Sequence, residues 1–83
     1  MRFTVVWDPT AERDLTNFWL QSADQQAIAD AADEIDRVLR LSPLRVGVPF
    51  GPDRRLTVLP LEVLYSVSQP DCLVRVLQVA LIP

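Results

Sequence analysis

Apolar positions follow two rhythms along the chain. From Arg2 to Trp7 they alternate, with Phe3, Val5 and Trp7 on one side and Thr4 and Val6 on the other, a period of two that predicts a half-buried strand. Asp8-Pro9 then marks a helix start, because Asp accepts bonds from the first free N–H groups and Pro at the first helical position forfeits none. The helix is predicted to run to about Leu20. Its apolar members Ala11, Leu15, Phe18 and Trp19 recur at three- and four-residue steps, and Glu12, Arg13, Asp14 and Asn17 form its wet side. Ser22-Ala23-Asp24-Gln25 reads as a capping box that opens a second helix to about Leu41. Ile28, Ala31, Ala32, Ile35, Val38 and Leu39 make the inner stripe of that helix, Ala31 and Ala32 let its neighbour come close, and Ser42-Pro43 stops it.

Beyond the helical hairpin the period changes back to two. Leu44 to Asp53, with both glycines and Pro49 and Pro52, reads as an ordered loop. Three β-branched, apolar runs follow: Arg54 to Leu59, Glu62 to Val67 and Cys72 to Ile82, separated by corners at Pro60 and at Gln69 to Asp71. Pro60 cannot donate to a ladder and so belongs at a corner. The last run carries Leu73, Leu77, Val79 and Leu81 among Val74 and Val76, apolar on both faces, which predicts a strand inside its sheet rather than at a wet edge. The expected architecture is α+β with the order β-α-α-β-β-β, a helical hairpin packed on a twisted, mainly antiparallel four-stranded sheet. The expected domain is single and covers residues 1–83.

Composition narrows the chemistry. A chain of 83 residues buries only about 60 to 65% of its unfolded surface, yet 49% of its residues are hydrophobic, so apolar surface is expected to remain for a partner to cover. No apolar run has the length of a membrane span, and Met1 to Pro9 lacks a signal peptide, which predicts a cytoplasmic protein with no membrane contact. One cysteine and no histidine leave no zinc site and no Cys/His or Ser/His couple, so neither a metal nor a cofactor is expected. The net charge is −3, with eight acids against four arginines up to Leu41 and three acids against four arginines beyond it. Such a chain lacks the field of a free-standing nucleic-acid binder, and phosphate contact would need a local arginine cluster.

The whole chain resembles the RelE/ParE superfamily of toxins from bacterial type II toxin–antitoxin systems. The residues that carry the likeness are Trp7-Asp8-Pro9 with Ala11 and Leu15, Pro43-Leu44-Arg45 after the second helix, Arg55-Leu56, Val63-Leu64-Tyr65-Ser66-Val67 and Val74-Arg75-Val76-Leu77. The resemblance implies a small toxin, of the kind found in plasmid stabilisation systems, silenced by a cognate antitoxin that wraps it. It further implies one of two targets, DNA gyrase for ParE-like members or mRNA on the ribosome for RelE-like members.

Metal-free RNA cleavage needs a group to take the 2′-OH proton, a group to protonate the leaving oxygen, and cations around the phosphate. Where the RelE-like pattern places an arginine three positions before Tyr65, this chain has Glu62, and the terminal Arg and Tyr or His have no counterpart. The candidate catalytic residues are therefore Arg55, Glu62 and Tyr65, with Arg45, Arg54 and Arg75 as phosphate or partner contacts. Arginine stabilises charge but is a poor proton shuttle. Tyr65 also reads as a core residue with its hydroxyl at the rim, Arg75 as a side chain with a packed stem and its head on an acid or in solvent, and Glu62 as a surface acid paired with an arginine. Three readings follow: a contact-acting, ParE-like toxin; a ribonuclease with a rearranged catalytic set; or a binding module that keeps the fold without toxicity. Homo-oligomerisation stays open. A different strand connectivity, or an empty space of phosphate size on which acids and arginines converge, would overturn the contact-acting reading.

Overall fold

A computed structural model describes residues 2–83. The chain forms β1 (Thr4–Trp7), α1 (Pro9–Gln21), α2 (Gln25–Leu41), β2 (Val48–Phe50), β3 (Asp53–Val58), β4 (Leu61–Ser68) and β5 (Leu73–Leu81). The strands make one sheet in the order β1-β5-β4-β3-β2, in which β1 runs parallel to β5 and all other pairs are antiparallel. As expected, the last strand is internal, flanked by the first strand and by β4. The sheet has five strands rather than the expected four. Within the stretch read as a loop, Val48, Pro49 and Phe50 pair with Arg55, Arg54 and Asp53. Three residues are too few for a periodicity to show, and Pro49 is tolerated because β2 is an edge strand.

Both helix starts are set by aspartate. Asp8 Oδ1 accepts from the Thr10 N–H at 3.1 Å ahead of Pro9, and Asp24 Oδ1 accepts from the Ala27 N–H at 3.1 Å. The second start differs from the expected capping box. Ser22 Oγ accepts from the Asp24 N–H at 3.0 Å, outside the helix, and Asp24 takes the capping position. A carboxylate there satisfies a free N–H and also meets the positive end of the helix dipole.

The helices cover one face of the sheet. Ala11 of α1 and Ile28, Ala31, Ile35 and Leu39 of α2 pack with Leu56, Leu61, Val63, Tyr65, Val74, Val76 and Val79 to form the core. Along β5 the buried positions change parity, from Val74 and Val76 to Val79, because the register with β4 shifts between Leu64 and Tyr65. Tyr65 pairs with Val76 and Leu64 with Gln78, so Leu77 is the extra residue. This bulge accounts for a strand whose sequence reads as apolar on both faces while only one face is buried. Helical positions follow the stripe with one departure: Trp19 remains 40% exposed at the end of α1.

Apolar surface is left over. Leu20, Leu41, Leu44, Val48, Phe50, Leu59 and Leu81 are exposed, as the composition implied for so short a chain. No helix of the described residues is long and apolar enough to cross a membrane.

Candidate functional site

The face of the sheet away from the helices carries Arg55 and Thr57 of β3, Glu62 and Leu64 of β4, and Gln78 and Ala80 of β5. Strand register brings them together: Arg55 stands opposite Leu64, Thr57 opposite Glu62, and Glu62 opposite Ala80. Phe50 arrives from β2. Together these side chains, Thr57 excepted, line a shallow hollow of about 170 Å³.

Arg55 is held on two sides there. Its Cζ lies 5.2 Å from the centre of the Phe50 ring, a cation–π contact, and its Nε lies 3.9 Å from Glu62 Oε2. The Thr57 hydroxyl donates to the same carboxylate oxygen at 3.0 Å. With the two charged side chains 44% and 29% exposed, the pair is screened by water and contributes little to stability. The pair sets one guanidinium and one carboxylate side by side at the hollow.

The other residues singled out from the sequence go elsewhere. Tyr65 points to the helix-covered face and is fully buried, with its hydroxyl 2.8 Å from the Pro43 carbonyl and 3.0 Å from that of Val46. Burial raises its pKa above the ordinary value of 10.0, and the neighbouring Arg54 guanidinium opposes that rise. Arg54, on the same face, donates from Nη2 to the Val46 and Gly47 carbonyls at 3.0 and 3.3 Å. Both side chains therefore tie the segment between α2 and β2 to the sheet. Gly47 is required at the crossing: its φ is +70°, and a Cβ there would meet the Arg55 carbonyl at 2.6 Å and the Tyr65 hydroxyl at 3.0 Å. Arg75 stands exposed on β5 opposite Ser66, and Arg45 is exposed just after α2, in the turn whose Arg45 and Val46 N–H groups donate to the Ser42 carbonyl.

Of the three candidate catalytic residues, the structure thus brings together Arg55 and Glu62 and separates Tyr65 from them by the thickness of the sheet. Among the polar and aromatic residues in or beside the hollow, three were not singled out from the sequence. Thr57 could have been found from the period of two starting at Arg55; Phe50 lay in a stretch with no readable period; Gln78 stands just past the bulge, where parity counting fails.

Comparison with solved structures gives the fold. A chain of the toxin–antitoxin complex RelBE2 from Mycobacterium tuberculosis superposes with a TM-score of 0.82 at 24% identity, over 98% of this chain and 92% of that one. The fold is that of the RelE/ParE toxins. A chain of the chromosomal ParDE system from P. aeruginosa matches with a TM-score of 0.78 at 15% identity, over 99% of this chain and 98% of that one. The RelE/ParE-like fold is not confined to toxin–antitoxin complexes: TrmO from P. aeruginosa matches with a TM-score of 0.66 at 25% identity, over 95% of this chain but 33% of its own. No protein-family model matches the sequence, and no curated protein matches it.

Proposed function

We propose that the chain is the toxin of a type II toxin–antitoxin system, silenced by a cognate antitoxin, and that it acts on its cellular target by protein contact rather than by cutting RNA. The observation that carries the contact-acting mode is the poverty of the outer-face hollow. Arg55 is the one arginine that lines it among the described residues, and it is shared between Glu62 and Phe50. In-line cleavage develops charge on a phosphate and calls for several donors aimed at it. Arg54 is turned to the opposite face, and neither Arg45 nor Arg75 reaches the hollow. The partner half of the proposal is supported by the fold shared with toxin–antitoxin complexes and by the exposed leucines and Phe50, which suit a covering polypeptide.

A second reading, the metal-free endoribonuclease, is favoured by one specific feature: Arg55 and Glu62 line the hollow together, although as one arginine and one acid facing each other rather than as a convergence of several. In that case Glu62 would accept the 2′-OH proton and Arg55 would bind the phosphate. A third, the non-toxic binding module, draws on the TrmO likeness.

Two assays separate these readings. Induction in a bacterial host without any antitoxin is expected to arrest growth, and unimpaired growth would reject the toxin reading. A ribosome-dependent mRNA cleavage assay is expected to show no cleavage by the wild type. Cleavage that disappears in Arg55→Ala and Glu62→Gln would replace contact with catalysis.

A further inference from the structure

A second concavity lies on the other side of the molecule, between the two helices and the end of β1. It measures about 370 Å³, with Trp7, Leu15 and Ala32 as its floor and Glu12, Asp33 and Asp36 around its rim. The three floor residues are half-buried, so the hairpin does not close over them. The rim is electrically incomplete. Asp36 holds Arg40, whereas the Glu12 and Asp33 carboxylates make no hydrogen bond or ion pair among the described residues. Other helix arginines are engaged away from the groove. Arg37 makes a bidentate pair with Glu34 at 2.8 and 2.7 Å, and Arg13 lies 3.7 Å from Asp14.

We propose that this groove docks a cationic amphipathic segment of a partner polypeptide. One large apolar side chain of the segment would rest on Trp7 and Leu15, and arginine or lysine on either side of it would pair with Glu12 and Asp33. The charge pattern selects this occupant. A purely apolar segment would cover the floor but desolvate two carboxylates without compensation, and an acidic one would be repelled. The half-buried indole of Trp7 adds a face on which a guanidinium can stack. A second copy of the chain fits poorly: pairing the groove with itself about a two-fold axis would set acid against acid in the half of the sequence that already carries four excess negative charges. The inference goes beyond the toxin reading and holds whether or not the partner is an antitoxin.

The test is selection of a displayed random-peptide library on the wild-type protein, with depletion on the Glu12→Arg/Asp33→Arg double variant. Recovered peptides are expected to carry two or more arginines or lysines around a Leu, Phe or Trp. As synthetic peptides they should bind Glu12→Gln/Asp33→Asn about tenfold more weakly than wild type, the combined effect of two partly screened charge pairs. In a Trp19→Phe background they should shift the emission of Trp7. Glu12 and Asp33 are exposed, and circular dichroism with thermal melting verifies that the variants fold. Neutral or acidic winners, no enrichment, equal affinity for the Gln/Asn variant, or an unmoved Trp7 emission would each overturn the proposal. Dimerisation of the wild type in sedimentation, abolished by Asp33→Arg, would give the groove to a second copy and overturn it as well.

Discussion

Tyr65 illustrates how a single side chain can be read correctly and still hold a surprise. Its apolar neighbours mark it as a core residue, and it is fully buried; what could not be read is that its hydroxyl is tied to carbonyls 22 and 19 residues earlier. Tyr65→Phe should lower stability by about 1 to 2 kcal/mol at neutral pH, measured by chemical denaturation, because the buried carbonyls lose their donor. The pH dependence has a definite sign. Folding raises the phenol pKa, so its contribution is whole below the ordinary value of 10.0 and is lost as pH climbs from there toward the folded-state value. Wild type should therefore weaken above pH about 10 more steeply than Tyr65→Phe. Gly47→Ala is expected to cost more than the phenol, at least about 2 kcal/mol, since a methyl must displace the Arg55 carbonyl from a backbone of positive φ. Arg55 and Glu62 were each legible as candidates, and Glu62 as a surface acid beside some arginine, but only strand register shows that the arginine is Arg55. Phe50 was not legible, since nothing in a proline- and glycine-bearing stretch signals which residue faces an arginine.

Elements were legible wherever a periodicity extended over several turns or pleats, and less so at their ends. The two helices and the three meander strands lie where the pattern put them, within a residue or two. The start of α2 is the instructive exception, because Ser22, Asp24 and Gln25 all belong to a plausible cap and only geometry selects among them. Asp24→Ala should destabilise by about 1 kcal/mol and fray the first turn of α2, whereas Gln25→Ala should be nearly neutral; melting temperature and amide exchange of Ala27 check both. In β5 the bulge at Leu77 defeats any reading based on strict alternation. The four residues of β5 on either side of it each give the right face, and a window across it gives both.

At the scale of the whole molecule, a small core supports two very different surfaces. Ile35 and Leu39 are fully excluded from solvent at the helix–sheet interface, so Ile35→Ala should cost about 3 kcal/mol, a large share of the 5 to 15 typical of a domain, and denaturant midpoints would register it. Because the excess apolar surface follows from length and composition alone, its existence was readable from the sequence. Its distribution was not: which leucines remain outside depends on the crossing of the helices over the sheet, and the acidic groove arises only when Trp7, Glu12 and Asp33 meet from three separate elements.

The parallel pairing of β1 with β5 sets the order in which the molecule can become itself. Thr4 must find Leu73, and Trp7 must find Val76, across nearly the full length of the chain. During synthesis the hairpin and the short meander strands can emerge and collapse locally, but the first strand has no strand to pair with until residues 73–81 have left the ribosomal tunnel. A nascent chain therefore stays incomplete until β5 has emerged, and until then β1 has no ladder of its own to join.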